Sequence, residues 1–192
     1  TGLPRATTHR LATALEVHHI LIRTEAGAWT IGPALSRYAA SAPSAVIEAA
    51  KPIMNALVRT TGESVQLYEL TGNTRTCVAA VEPPSGLTNT VPVGSQLPLD
   101  RGSAARVFAA YEHITAPFSE DELGRVRKTR LAESVNEREV GLSSVSTPIH
   151  DAAGRLLAVL SISGPAERLK PSPANTWGKQ LLKAADQLMS EI

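Results

Sequence analysis

The sequence predicts an α+β fold with a mainly antiparallel sheet, preceded by a small helix-and-hairpin unit. Short β-rich runs pair around turn signals at Thr71-Gly72-Asn73 and Asp151-Ala152-Ala153-Gly154. Helical periodicities gather elsewhere in the chain, and residues 1–32 read as a helix followed directly by a hairpin. Strands joined tightly to one another, with helices segregated from them, imply antiparallel pairing rather than alternating parallel crossovers.

Gly2 suits a positive φ and Pro4 a first helical position, so a helix is expected from near Pro4. Thr7, Leu11, Ala14 and Leu15 recur at three- and four-residue spacing and form the expected packing stripe. Arg5, Thr8, His9 and Thr13 lie largely off it, a polar face of donors and hydroxyls of the kind that reach phosphates and base edges. On periodicity alone the same pattern fits an ordinary amphipathic surface helix. Ile20 to Arg23 and Trp29 to Gly32 then flank a Gly-containing loop, which predicts a β-hairpin. Three arginines at 5, 10 and 23 against the single Glu16, with three histidines nearby, give this stretch a modest basic bias.

A short helix is expected over 34–42, ending at Pro43, and a second from Ser44 that Pro52 should kink or restart. Ile53, Leu57 and Val58 continue an apolar stripe to Gly62. Strands are expected over 64–70, 75–81, 87–93, 142–149 and 156–163. Helices are expected over 103–111, 119–127 and 130–136. A closing helix from Ala174 carries Trp177, Leu181, Leu182, Ala185, Leu188 and Met189 on one side.

The run G-L-P-R-A-T-T-H-R-L-A-T-A-L-E with the hairpin W-T-I-G-P-A-L resembles the winged helix-turn-helix of the isocitrate lyase regulator (IclR) family. Gly2, Leu3, Thr7, Arg10, Leu11, Thr13, Leu15 and Glu16 carry the likeness. Thr8 and Ala12 stand where family members usually have a large aliphatic, and His19 where they tend to have Gly. Further on, V-G-S-Q-L-P-L-D-R-G-S-A-A-R, S-V-N-E-R-E-V-G-L-S-S-V-S-T-P-I and L-A-V-L-S-I-S-G-P resemble family segments, so the likeness covers essentially the whole chain. S-V-Q-L-Y, V-A-A-V-E-P-P-S-G-L and S-V-N-E-R-E are similar to an actinobacterial subgroup linked to amino-acid metabolism, including leucine biosynthesis.

The resemblance implies a partial winged helix-turn-helix over 1–32, whose first two helices would lie upstream of Thr1, a linker helix over 33–51, and a GAF-like effector domain over 52–192. It implies a cytoplasmic homodimer or homotetramer that acts as a repressor on operator DNA. Arg5, Thr7, Thr8, His9 and Arg10 are the DNA-contact candidates. An upstream segment unable to pack on Leu11, Ala14 and Leu15 would instead favour a stand-alone metabolite sensor.

For the ligand, the helix opening at Gly102-Ser103-Ala104 offers backbone N–H groups and a dipole suited to an anion. Ser161 and Ser163 alternate along one strand and so share a face. Their plain role would be to satisfy strand-edge polar groups. By resemblance, Leu97, Ser103 and Ala104 form one wall of an effector pocket, Ser161 and Ser163 another, with Ser134 and Ser144 completing it around a small carboxylate or amino-acid-like metabolite. Some family members have Asp at the place of Ser134 and Cys at the place of Ser144, so their effectors do not transfer. Gln66 and Tyr68 share a strand face and either add donors to this cavity or simply pack.

Composition narrows the remaining classes. A net charge of +1 over 192 residues gives no general affinity for polyanions, so any nucleic-acid contact must be local. One cysteine excludes an internal disulfide framework and fits a reducing cytoplasm. No apolar run is long enough to span a bilayer. Cys77, in an apolar run, reads as a small buried hydrophobe, and His113 and His150 have no metal-ligand spacing, so neither metal nor cofactor is expected. Glu133, Glu137 and Glu139 alternate with arginines and read as a solvated surface. With no phosphate-binding loop or nucleophile elbow, no enzyme activity is expected.

Overall fold

A computed structural model describes residues 2–34, 45–86 and 88–192. The chain divides into two compact units, Thr1–Ser44 and Ala45–Ile192.

In the first unit, helix α1 (Arg5–Val17) follows Pro4, and strands β1 (Leu21–Arg23) and β2 (Trp29–Ile31) pair antiparallel, with Ile22 opposite Thr30. His19 takes the left-handed conformation at φ 54°, which turns the chain from helix into hairpin. Gly32 is required where the hairpin returns: a Cβ there would lie 2.2 Å from the His19 carbonyl oxygen. The stripe expected to pack does not do so among the described residues. α1 packs on β1 through buried Ala12 and half-buried Thr8, while Leu11 and Leu15 stay 51% and 38% exposed.

The second unit is built on a six-stranded antiparallel sheet. In chain order its strands are β3 (Ser64–Thr71), β4 (Thr74–Val81), β5 (Gln96–Leu97), β6 (Ala132–Val135), β7 (Leu142–His150) and β8 (Leu156–Pro165). They lie side by side as β5-β4-β3-β8-β7-β6. The two-residue alternation of side chains divides this sheet into two layers. Val65, Leu67, Val145, Ile149, Leu160 and Ile162 point to one side. There they pack against helices α2 (Ala45–Thr61), through Ile53, Met54 and Leu57, and α5 (Pro173–Ser190), through Leu181 and Leu188. On the other side Tyr68, Cys77 and Val159 meet helices α3 (Ser103–Tyr111) and α4 (Glu120–Thr129) through Val107, Phe108 and Val126. Phe108 is the largest fully buried side chain, a burial that contributes about 2–3 kcal/mol.

Three expected elements differ. α2 runs through Pro52 without restarting. An interior proline costs about 3 kcal/mol, and burial of Ile53, Met54 and Leu57 at about 1.5–3 kcal/mol each outweighs it. Residues 130–136 form no helix. Arg130 caps α4 at φ 59°, and β6 follows as an edge strand with Ala132 and Ser134 buried and Glu133 and Val135 exposed. The strand expected over 87–93 is not one among residues 88–93. Pro92 has no N–H to give, and the pairing falls later: Gly94 donates to the Cys77 carbonyl at 2.8 Å, and Cys77 N–H to Ser95 at 2.9 Å. Leu87 and residues 35–42 of the helix expected over 34–42 lie outside the described residues.

Candidate functional site

The face of the sheet beneath α3 changes character along its strands. At one end it is apolar; at the other the register sets Ser64, Ser163, Ser144 and Ser134 in one row across β3, β8, β7 and β6. Gln66, Ser161 and Ser146 make the adjacent row. Between these short polar groups and the start of α3 a cavity remains, with Leu142 at its edge. It is open at one side, and the space within it that water can reach is about 30 Å³, enough for one or two water molecules.

Hydroxyls connect its walls. Ser161 donates to the Val145 carbonyl at 3.4 Å and Ser146 to Ser161 at 2.9 Å. Each hydroxyl has one proton, so Ser146 must accept from Ser103 at 2.7 Å, and Ser103 from Ser144 at 2.6 Å. The terminal bond is long, so this relay can reverse at little cost. Ser144 can therefore present either a lone pair or a proton to the cavity. Ser163 donates to Gln66 Oε1 at 2.9 Å and accepts from Asn89 at 2.8 Å.

Two arginines close the cavity. Arg75 on β4 is 3% exposed; its Nη1 donates to the Pro98 and Arg101 carbonyls at 2.7 and 3.0 Å, and its buried Nε–H has no partner. Burial, reinforced by Arg138, brings Arg75 down to about 10, against the opposing pull of Tyr68 and Asp100. Arg138 Nη2 donates to Asn89 Oδ1 at 2.8 Å. Tyr68 lies between them, its hydroxyl pushed up to about 12 by burial and by Cys77, with both arginines opposing. It is a neutral donor at any physiological pH.

The start of α3 is not free. Glu137 Oε2 accepts from Gly102 N–H at 3.0 Å and from Arg106 Nη1 at 2.9 Å, and Arg106 Nη2 lies 2.8 Å from Oε1. Burial raises the Glu137 pKa, but Arg106, the Gly102 amide and Ser134 together hold it below the ordinary carboxylate value. Of the acids read as a solvated surface, Glu133 and Glu139 are exposed, and the reading is corrected for Glu137, which fastens its loop to the helix while Arg138 beside it lines the cavity.

Of the expected pocket residues, Ser103, Ala104, Ser134, Ser144, Ser161 and Ser163 line this cavity. Leu97 does not; it packs half-buried against the apolar cluster beneath α3. Sequence reasoning left Gln66 and Tyr68 open: Gln66 accepts from Ser163, and Tyr68 lines the cavity. It missed Arg75, Asn89 and Arg138. The signal for Arg75 was a lone cation on the inward alternation of a strand; Asn89 and Arg138 sit on irregular segments with no periodic signal. Cys77 is buried, its thiol pushed up to about 11 by burial, with the Ala79 carbonyl as partner.

In the first unit Arg5, Thr7 and Arg10 are exposed, and Thr7 and Arg10 lie about 60° apart around the helix. Thr8 is half-buried and returns its hydroxyl to the Pro4 carbonyl at 3.3 Å. His9 packs edge-on to Trp29 and accepts from Arg23 Nη2 at 3.1 Å, which requires a neutral ring. Arg23 in turn stacks on Trp29, 4.4 Å from its ring centre. Among the described residues no three His, Cys, Asp or Glu side chains are grouped to hold a metal, and no helix is long and apolar enough to cross a membrane.

Residues 39–117 and 114–190 match the family model described as bacterial transcriptional regulator IclR C-terminal. The acetate operon repressor of Salmonella typhimurium is 26% identical over 97% of this chain and 78% of its own length. The transcriptional repressor IclR of Escherichia coli is 25% identical over 97% and 78%. Among solved structures, a putative IclR-family regulator from Rhodococcus sp. superposes with a TM-score of 0.79 at 25% identity, covering 98% of this chain and 81% of that one. Thermotoga maritima IclR superposes at 0.71 with 20% identity over 98% and 86%, a likeness of fold.

Proposed function

The chain belongs to the IclR family of bacterial transcriptional regulators, and from that premise we propose that it represses transcription by binding operator DNA and is controlled by a small carboxylate or amino-acid-like metabolite in its second unit. The observation that carries the effector half is the cavity under α3, where serines chosen from sequence meet two arginines around open space. Core packing gives no reason to gather buried serines with a buried arginine whose Nε–H has no partner.

DNA contact falls to α1. Arg5, Thr7 and Arg10 are the free donors, and His9 acts by docking Arg23 on the hairpin rather than by reaching a base. Residues 1–32 form the DNA-binding part, 33–51 the linker and 52–192 the effector part. Paired half-sites call for a homodimer or homotetramer. A metabolite that prefers one arrangement of the paired DNA-binding parts shifts operator affinity by its differential affinity for the two states.

Selection from a random duplex pool by the full-length protein tests the reading. Enriched sequences should bind with an affinity that falls as salt rises, and Arg10→Ala should lower the logarithmic salt slope by about one. Failure to enrich any sequence, or binding indifferent to salt, refutes DNA recognition. A metabolite that releases the DNA should lose its effect in Ser161→Leu and Ser144→Val; release that survives in both variants, each still cooperatively folded, places the effector elsewhere.

A further inference from the structure

Accepting that the cavity under α3 is the ligand site, we infer that its ligand is a small organic dianion without an ammonium group, held between Arg75 and Arg138.

Charge accounting points there. Arg75 and Arg138 are the charged residues that line the cavity, and no aspartate or glutamate among the described residues does so. Arg75 is buried, yet the partners of its Nη1 are neutral carbonyls and its Nε–H has none. Such carbonyls satisfy N–H groups but leave the positive charge without a counter-charge. Arg138 is held by the neutral amide of Asn89, and its one acidic partner among the described contacts is a long ion pair of 4.0 Å to Glu139, which is 70% exposed and therefore weakened by solvent. Neighbouring acids are already engaged: Asp100 pairs with Arg101 at 2.9 Å, and Glu137 with Arg106.

Two cations facing one enclosed space repel each other, and removal from water makes both costly. A dianion relieves both terms at once. A monoanion leaves one arginine uncompensated. An amino acid does worse, because its ammonium brings a third positive charge to a wall whose acceptors are neutral hydroxyls. Those hydroxyls suit a dianion, since the relay ending at Ser144 can turn its last proton outward toward a carboxylate oxygen.

Four probes separate these cases by thermal shift and calorimetry on the protein. Succinate and butyrate differ in one charge, succinate and aspartate in the ammonium, and inorganic phosphate stands for a compact dianion. Succinate or phosphate should bind roughly tenfold or more tightly than butyrate and aspartate. Arg138→Gln should erase that advantage, bringing succinate down to within about twofold of butyrate in the same variant. Preference for phosphate over succinate assigns a phosphorylated metabolite within the same class. Butyrate or aspartate binding as tightly as the dianions overturns the inference, as does Arg138→Gln binding succinate like the parent, or no response to either dianion at millimolar concentration. If butyrate or aspartate wins and Ser161→Leu abolishes the response, the cavity stands and its charge class is wrong. If the response to every probe survives Ser161→Leu, the cavity itself is wrong.

Discussion

Glu137→Gln isolates the carboxylate that fastens the 136–141 loop to the start of α3. The substitution keeps the shape and one acceptor oxygen but removes the negative charge from three contacts: Gly102 N–H at 3.0 Å and two nitrogens of Arg106 at 2.9 and 2.8 Å. A hydrogen bond to a charged group contributes about 1.5–3 kcal/mol and a neutral one about 0.5–1.5. Both partners keep some exposure, so we expect a net loss of about 1.5 kcal/mol, or roughly 3–6 °C in Tm for a unit of this size. The pH dependence gives the sharper test. The folded-state pKa of Glu137 lies below its ordinary value, so its contribution is complete above the unfolded value of about 4.3 and fades as pH falls through the folded one. Urea midpoints for parent and variant should stay separated by a constant gap from pH 7 to 5, then converge as the pH falls below the unfolded value. A gap below the measurement error at pH 7, or one undiminished at low pH, refutes the assignment of charge to this latch.

Gly164→Ala should be among the most damaging single-methyl additions, because its Cβ would lie 2.0 Å from Glu63 Oε2 and 2.7 Å from its carboxyl carbon. Glu63, buried, holds Arg168 through two 2.7 Å bonds, and displacing it should cost about 3 kcal/mol in chemical denaturation. Cys77, whose thiol is raised to about 11 by burial, should react with a thiol reagent near pH 8 no faster than global unfolding exposes it. Rapid labelling of the native protein would contradict that. In an alkaline absorbance titration, Tyr68, raised to about 12 by burial, should ionise after the other tyrosines, and Tyr68→Phe should delete the latest step.

The alternation of Ser161 and Ser163 was legible because β8 keeps one two-residue period through them, whereas Ser144 and Ser134 came through resemblance. Val145 and Ile162 face the large core, Ser144, Ser146, Ser161 and Ser163 the opposite side. The convergence of Ser103 and Ala104 with these serines came through resemblance, since helix and sheet are far apart in sequence. What stayed hidden depended on competition between weak local signals and distant contacts. Residues 130–136 carry Leu131, Glu133 and Val135 in an order that suits either period, and the open edge of β7 decides for a strand. Arg138 looked like one member of a charged run because nothing local says that its neighbour Glu137 will be drawn to the Gly102 amide. In α1 the sequence stripe was sound as a pattern, but the hairpin selects the small side chains Thr8 and Ala12 for its own contact.

Arg75 explains why binding and architecture are hard to separate in this cavity. Its guanidinium holds the carbonyls of Pro98 and Arg101 and so fixes the segment that delivers the chain into α3. Its Nη2 comes within 3.2 Å of where a Cβ at position 102 would stand, and that residue adopts φ 92°, a combination that glycine tolerates. From the other side Glu137 grips the same Gly102 through its amide, one residue away from Arg138. The entry to α3 is therefore clamped between an arginine and a carboxylate, and Arg138 follows that carboxylate directly in the chain.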